Sequence, residues 1–291
     1  MTKSTAAINT QEEASYFSGI KLVLLTIAVS LVTFMEVLDT TIVNVSIPHI
    51  AGSLGSTITQ GTWTISLYAL ASAIVVPLTG WVSKVFGQIR VFIIAIILFT
   101  IMSILCGIAS SMMELVIFRF FQGFFSGPMV PLSQAILLMS YPPEKRGLAM
   151  AFFVMTVIIA PILGPVLGGY LTDTLSWPWI FYINVPVGIV AALILFSLFK
   201  GKKDKVTKAP IDYVGIFLLF IGIGSLQLML DNGNDYDWFN SKFIIAMSVI
   251  AFIGIILFII WELTDKHPAV DLSLLANYNY TVGIISMCLG M

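Results

Sequence analysis

Residues 35–45 read MEVLDTTIVNV and set a glutamate and an aspartate three positions apart in a stretch otherwise apolar enough to lie in a lipid bilayer. The apolar run around them, 20–48, exceeds the roughly 20 residues needed to cross a hydrocarbon core about 30 Å thick. The whole chain shares this character. Of its 291 residues 58% are hydrophobic and 10% charged, with a mean hydropathy of +1.01, against about 25% charged residues in a soluble domain. The composition is that of an integral membrane protein. A net charge of −1 argues against a nucleic-acid partner, which demands a basic surface to displace counterions.

Working outward from this stretch, seven further runs satisfy the same criterion: 62–78, 91–109, 115–139, 148–171, 179–199, 213–230 and 243–261. A ninth begins near Tyr280 and reaches Met291. The chain therefore reads as an all-α polytopic membrane protein with eight complete transmembrane helices and the start of a ninth. The first run follows a polar segment, 1–19, and is too long for the h-region of a signal peptide, so it reads as a retained helix. Placing the N-terminus inside puts twelve of the fourteen Lys and Arg residues on the cytoplasmic side, as the positive-inside rule requires. The expected location is a cell membrane, crossed several times from a cytoplasmic N-terminus, with the lipid bilayer as the first partner.

The basic connector KGKKDKVTKAP, 200–210, follows six spans and serves as a boundary. The expected organisation is a cytoplasmic segment at 1–19, a six-helix bundle at 20–199, the basic linker at 200–210 and two linking helices at 211–262. A loop and the start of a second bundle occupy 263–291.

Three ionisable residues lie at membrane depth: Glu36, Asp39 and Arg119. A charge at the centre of a span costs about 2.5–3.5 kcal/mol on insertion scales, so such groups usually face a partner or a cavity and mark ion or substrate paths. Glu36 and Asp39, at i and i+3, share one helix face. Counted from the outer ends of their spans, Asp39 and Arg119 lie about 13 Å and about 6 Å deep, a difference that a long arginine side chain can close. Two readings stand: a static pair that locks two helices, or a carboxylate that exchanges a proton. Two acids for one base favour the second.

Cys106 and Cys288 fall in apolar runs with no partner nearby, and His49 and His267 lie far apart. The sequence therefore offers no metal site and no enzyme signature. In APILGPVLGGYLTD, 160–173, Ala160, Gly164 and Gly168 form a small-residue stripe for close helix packing, and Pro161 and Pro165 each remove a backbone donor.

These stretches together resemble the major facilitator superfamily, and within it the fourteen-helix drug:proton antiporters of the EmrB/QacA type. LDTTIVNVSIP (38–48) resembles the first-helix signature of that branch, and RFFQGFFSG (119–127), with Gln122 and Gly123, the fourth-helix motif. GPVLGG (164–169) resembles the fifth-helix antiporter motif, and WPWIFYINVPVG (177–188) the entry to the sixth helix. GWVSKVFGQIR (80–90) is similar to the cytoplasmic gate loop through Gly80, Gly87 and Arg90. It departs at Lys84, where an aspartate is usual, and at Val85 and Gln88. Ala160 stands where the antiporter motif often has glycine.

The resemblance implies a major-facilitator-type helix bundle and a proton-coupled exporter of small hydrophobic or cationic drugs, working by alternating access. The implied location is a bacterial cytoplasmic (inner) membrane; the proton gradient is the energy source and no cofactor is needed. Glu36, Asp39 and Arg119 would belong to proton or substrate coupling, and Gly164, Pro165, Gly168 and Gly169 to a helix that bends and seals against the other half. Gly80, Lys84, Gly87 and Arg90 would belong to the gate. For a Gram-negative member, a periplasmic adaptor and an outer-membrane channel would be partners. A fourteen-helix transporter continues well past Met291, so the chain is expected to supply only the first half, the linking helices and the start of the second. A specific metabolite permease and a non-transporting, truncated membrane protein are the alternatives.

Overall fold

The computed structural model describes residues 17–201, 204, 206, 207, 210–265, 268, 270, 272–278 and 281–283. The lysines at 202, 203, 205, 208 and 266, His267, Cys288, most of segment 1–19 and the ninth span except 281–283 lie outside the described residues. Among the described residues the chain is helical, without strands. The helices are α1 (Ile20–Ser53), α2 (Ile58–Phe86), α3 (Gln88–Gly107), α4 (Met112–Ser126), α5 (Met129–Ser140) and α6 (Arg146–Thr174), followed by α7 (Trp179–Tyr182), α8 (Asn184–Phe199), α9 (Tyr213–Asn232) and α10 (Lys242–Thr264). Helices α4 and α5 form one span and α7 leads into α8, giving, among the described residues, eight helices long and apolar enough to cross a membrane.

Some helices outrun the apolar segments that announce them, for local reasons. Helix α2 starts at Ile58 because Thr57 and Gln60 form a reciprocal cap: Gln60 N–H donates to Thr57 Oγ1 at 3.2 Å and Thr57 N–H to Gln60 Oε1 at 3.1 Å. Pro48 does not end α1, which runs on to Ser53; a proline removes one backbone bond, a loss that a membrane bundle tolerates. The span expected as one helix over 115–139 is interrupted at Gly127–Pro128. Pro128 has no N–H for the Phe124 carbonyl, and the chain resumes when Leu132 N–H bonds the Pro128 carbonyl at 3.0 Å.

Helix α1 is the central strut, packing on α6, α8, α5 and α2. Lipid tails are as apolar as leucine, so the bundle relies on close packing and internal hydrogen bonds rather than on withdrawing apolar surface from water. Small residues permit that packing. A Cβ on Gly168 would lie 2.7 Å from the Ile42 carbonyl oxygen, and one on Gly164 would lie 2.8 Å from Thr41 Cβ. The same device joins α9 to α10, where a Cβ on Gly254 would lie 3.0 Å from Gly222 Cα. Leu219 then packs this hairpin onto Leu70 and Ile74 of α2.

Two apolar clusters fill the six-helix bundle. One, around Met35, Phe92, Phe99, Met129 and Ile136, lies toward the end where α1 begins. The other, around Ile42, Cys106, Leu115 and Phe181, lies toward the opposite end. On α1 the first cluster ends at Met35 and the second begins at Ile42, with Asp39 between. On α4 the second includes Val116, and Arg119 follows one turn later. A polar layer therefore separates two apolar ones.

Candidate functional site

Arg119 is fully buried on α4. Its Nη1 donates to Asp39 Oδ2 at 2.5 Å and to Gln122 Oε1 at 2.8 Å, while Nε donates to the Thr64 carbonyl at 3.2 Å. The guanidinium carbon lies 4.0 Å from the centre of the Tyr68 ring and 5.7 Å from that of Phe181, so two π faces assist the single carboxylate in holding the cation.

Gly123 makes this arrangement possible. A Cβ there would come within 2.8 Å of both Cα and C of Tyr68, and closer still to its carbonyl oxygen. With no side chain in the way, α4 rests on the α2 backbone, and Arg119, one turn before Gly123, comes down on the Tyr68 ring.

The other Asp39 oxygen, Oδ1, accepts from Asn184 Nδ2 at 2.8 Å and Gln122 Nε2 at 3.3 Å. Both amides also donate to Ser103 Oγ, at 3.0 and 3.2 Å, and Ser103 donates onward to the Phe181 carbonyl at 2.9 Å. Cys106 Sγ approaches Gln122 Oε1 at 3.5 Å. Asp39, Ser103 and Gln122 are fully buried and Asn184 is 1% exposed, so water does not share this charge. The ion pair is compensated in place by neutral amides and a hydroxyl from α3, α4 and α8. Removing one member of such a buried pair costs about 3–5 kcal/mol.

Glu36 lies one turn from Asp39 on the same helix. It is half-buried, and among the described residues it forms no ion pair and no hydrogen bond. The site thus pairs one acid and leaves the other available.

The remaining motif residues separate into two places. Gly164 and Gly168 face α1 at Thr41 and Ile42, beside the Asp39 layer, whereas Pro165 is exposed and nothing lies within 4 Å of a Cβ on Gly169. The small stripe thus packs α6 against α1 within this bundle. The gate-loop residues Gly80, Lys84, Gly87 and Arg90 lie far from Asp39, at the end of the bundle where α2 turns into α3. Gly80, Lys84 and Arg90 are exposed and Gly87 is buried.

Sequence reasoning followed charges and so missed Ser103, Asn184 and Tyr68. A signal was present: Ser103 is a polar residue within IILFTIMSILCG, and Asn184 is an amide in FYINVPVG. Cys106, which falls in an apolar run of the sequence, is buried inside the bundle. Among the described residues no cluster of His, Cys, Asp or Glu could hold a metal.

Comparison with known proteins fits this geometry. Residues 29–291 match the family model described as Major Facilitator Superfamily. The chain is 50% identical over 277 residues to the multidrug export protein EmrB of Haemophilus influenzae, covering 95% of this chain and 54% of that relative. It is 49% identical over 272 residues to the fatty acid resistance protein FarB of Neisseria gonorrhoeae, covering 94% and 54%. The chain spans about half the length of the curated relatives it matches.

Among solved structures, the peptide transporter POT in complex with sulfate superposes with a TM-score of 0.62 at 17% identity, covering 88% of this chain and 56% of that one. The proton:xylose symporter XylE gives 0.52 at 18% identity, covering 75% and 55%; at these identities the likeness speaks for the fold alone. Eight spanning helices, a shared bundle architecture and a family match across nearly the whole chain place this protein in the Major Facilitator Superfamily.

Proposed function

We propose that the chain is the first part of a proton-coupled multidrug efflux transporter that exports hydrophobic or cationic compounds across the cytoplasmic membrane by alternating access, with its N-terminus in the cytoplasm. The observation that carries this reading is the sealed Asp39–Arg119 pair with the unpaired Glu36 one turn away. A proton arriving at Asp39 neutralises the carboxylate and loosens its hold on Arg119. The cation keeps Gln122, the Thr64 carbonyl and the Tyr68 face, so the α1–α4 contact is exchanged rather than abandoned. Glu36 supplies the negative charge that a cationic compound recognises.

Similarity to a relative named for multidrug export supports this choice over a specific permease. The proton gradient is the energy source, and the basic residues around the helix ends where α1 begins support the orientation. By the family resemblance, a periplasmic adaptor and an outer-membrane channel complete the pathway, and co-purification from cross-linked membranes tests that part.

The central test is Asp39→Asn in the complete transporter. Export of a fluorescent dye into an acidified medium is lost while the protein still reaches the membrane at wild-type level. Undiminished export removes Asp39 from the mechanism.

A further inference from the structure

The turn between α2 and α3, GWVSKVFGQIR at 80–90, contains no acid: its charged residues are Lys84 and Arg90. A helix N-terminus leaves backbone N–H groups without partners and carries a partial positive charge, and the residue preceding α3 is Gly87, which has no side chain to cap it. The missing acceptor comes from a distant part of the chain. Asp204, in the connector between α8 and α9, accepts from Arg90 N–H through Oδ2 at 3.0 Å and from Ile89 N–H through Oδ1 at 3.4 Å.

Gly87 is shaped for this visitor. It adopts φ +94°, where other residues are strained, and a Cβ there would lie 2.6 Å from Asp204 Cβ. Two more contacts follow along the connector: Thr207 N–H donates to the Lys84 carbonyl at 2.9 Å, and Trp81 Nε1 donates to the Pro210 carbonyl at 3.1 Å. Immediately beyond, Asp212 caps α9 through Gly215 N–H at 2.8 Å and accepts from Trp261 Nε1 of α10 at 2.9 Å. The chain of contacts thus runs from the turn, through the connector, to the α9–α10 hairpin.

We infer that Asp204 is a positioning residue for the α2–α3 turn: it supplies from the connector the acid that the turn lacks, and Asp204, Thr207 and Pro210 together act as a strap that ties the turn to the start of α9. Movement of the turn during a transport cycle then requires the strap to release or to travel with it. The effect on export rests on the function proposed above; the contact itself does not.

Hydrogen exchange read by mass spectrometry on the complete transporter in lipid nanodiscs tests the contact. In Asp204→Ala, amides in a peptide covering 87–92 exchange about fivefold faster than in wild type, the scale of a lost helix cap. Peptides from α1 and α4 stay unchanged, which shows the bundle intact, and Asp204→Asn, which keeps an acceptor oxygen, restores most of the protection. Equal exchange at 87–92 in wild type and Asp204→Ala overturns the strap.

In the complete transporter, Asp204→Ala changes the initial rate of dye export by about fivefold at equal membrane level, and Asp204→Asn returns it toward wild type. Unchanged export in Asp204→Ala overturns the role in gating. A wild-type transporter that exports no drug counts against the proposed function alone, because hydrogen exchange still decides the strap.

Discussion

Gly123→Ala adds one methyl group where α4 rests on α2, and the structure sets its consequence. The new Cβ would stand 2.8 Å from Tyr68 Cα and C, inside the 3.4 Å at which ordinary contact begins, and its obstacle is backbone rather than a flexible side chain. The helices must separate by roughly 1 Å, an overpacking that costs about 1–3 kcal/mol. Arg119, one turn away, moves with α4, stretching its 3.2 Å bond to the Thr64 carbonyl and lifting it from the Tyr68 ring.

Thermal unfolding in nanodiscs followed by circular dichroism measures the stability change, which for a chain of this size is a fall in midpoint of several degrees. Gly169→Ala is the control: it lies in the same bundle with nothing within 4 Å of a new Cβ and gains roughly 0.5–1 kcal/mol of helix preference. A Gly123→Ala midpoint at or above wild type would refute the close-crossing explanation of this glycine.

Three other predictions address the site. Glu36→Gln in the complete transporter selectively lowers export of cationic dyes and spares neutral compounds, as resistance assays with matched pairs would show; an equal effect on both classes would remove Glu36 from substrate recognition. Asn184→Leu leaves Asp39 Oδ1 with only Gln122 as an amide donor, lowering stability by about 1–3 kcal/mol. Combined with Ser103→Ala it gives a less-than-additive loss, measurable as a double-mutant cycle. Cys106, fully buried, resists maleimide in the folded protein in a Cys288→Ser background and reacts after denaturation in detergent, a contrast that gel-shift labelling reads directly.

The sequence by itself determined that this chain carries eight runs long and apolar enough to cross a membrane and the start of a ninth, because apolar run length against bilayer thickness is a local property that each segment carries independently. It also singled out Asp39 and Arg119, since a charge at membrane depth is conspicuous wherever its partner lies. Helix limits were less legible. The Thr57–Gln60 cap outranked the end of an apolar run, Pro48 was absorbed, and Pro128 broke a span that composition alone presented as continuous.

What only the tertiary structure decided was which neutral groups complete the site and what holds the α2–α3 turn. Asn184 meets Asp39 across 145 positions of sequence, and Asp204 meets Arg90 across 114. An amide in a membrane helix and one acid in a lysine-rich connector are both visible in the sequence, but neither shows which partner it meets. Each acquires its role when helix packing removes water and leaves that side chain as the available partner for a buried charge or an open helix end.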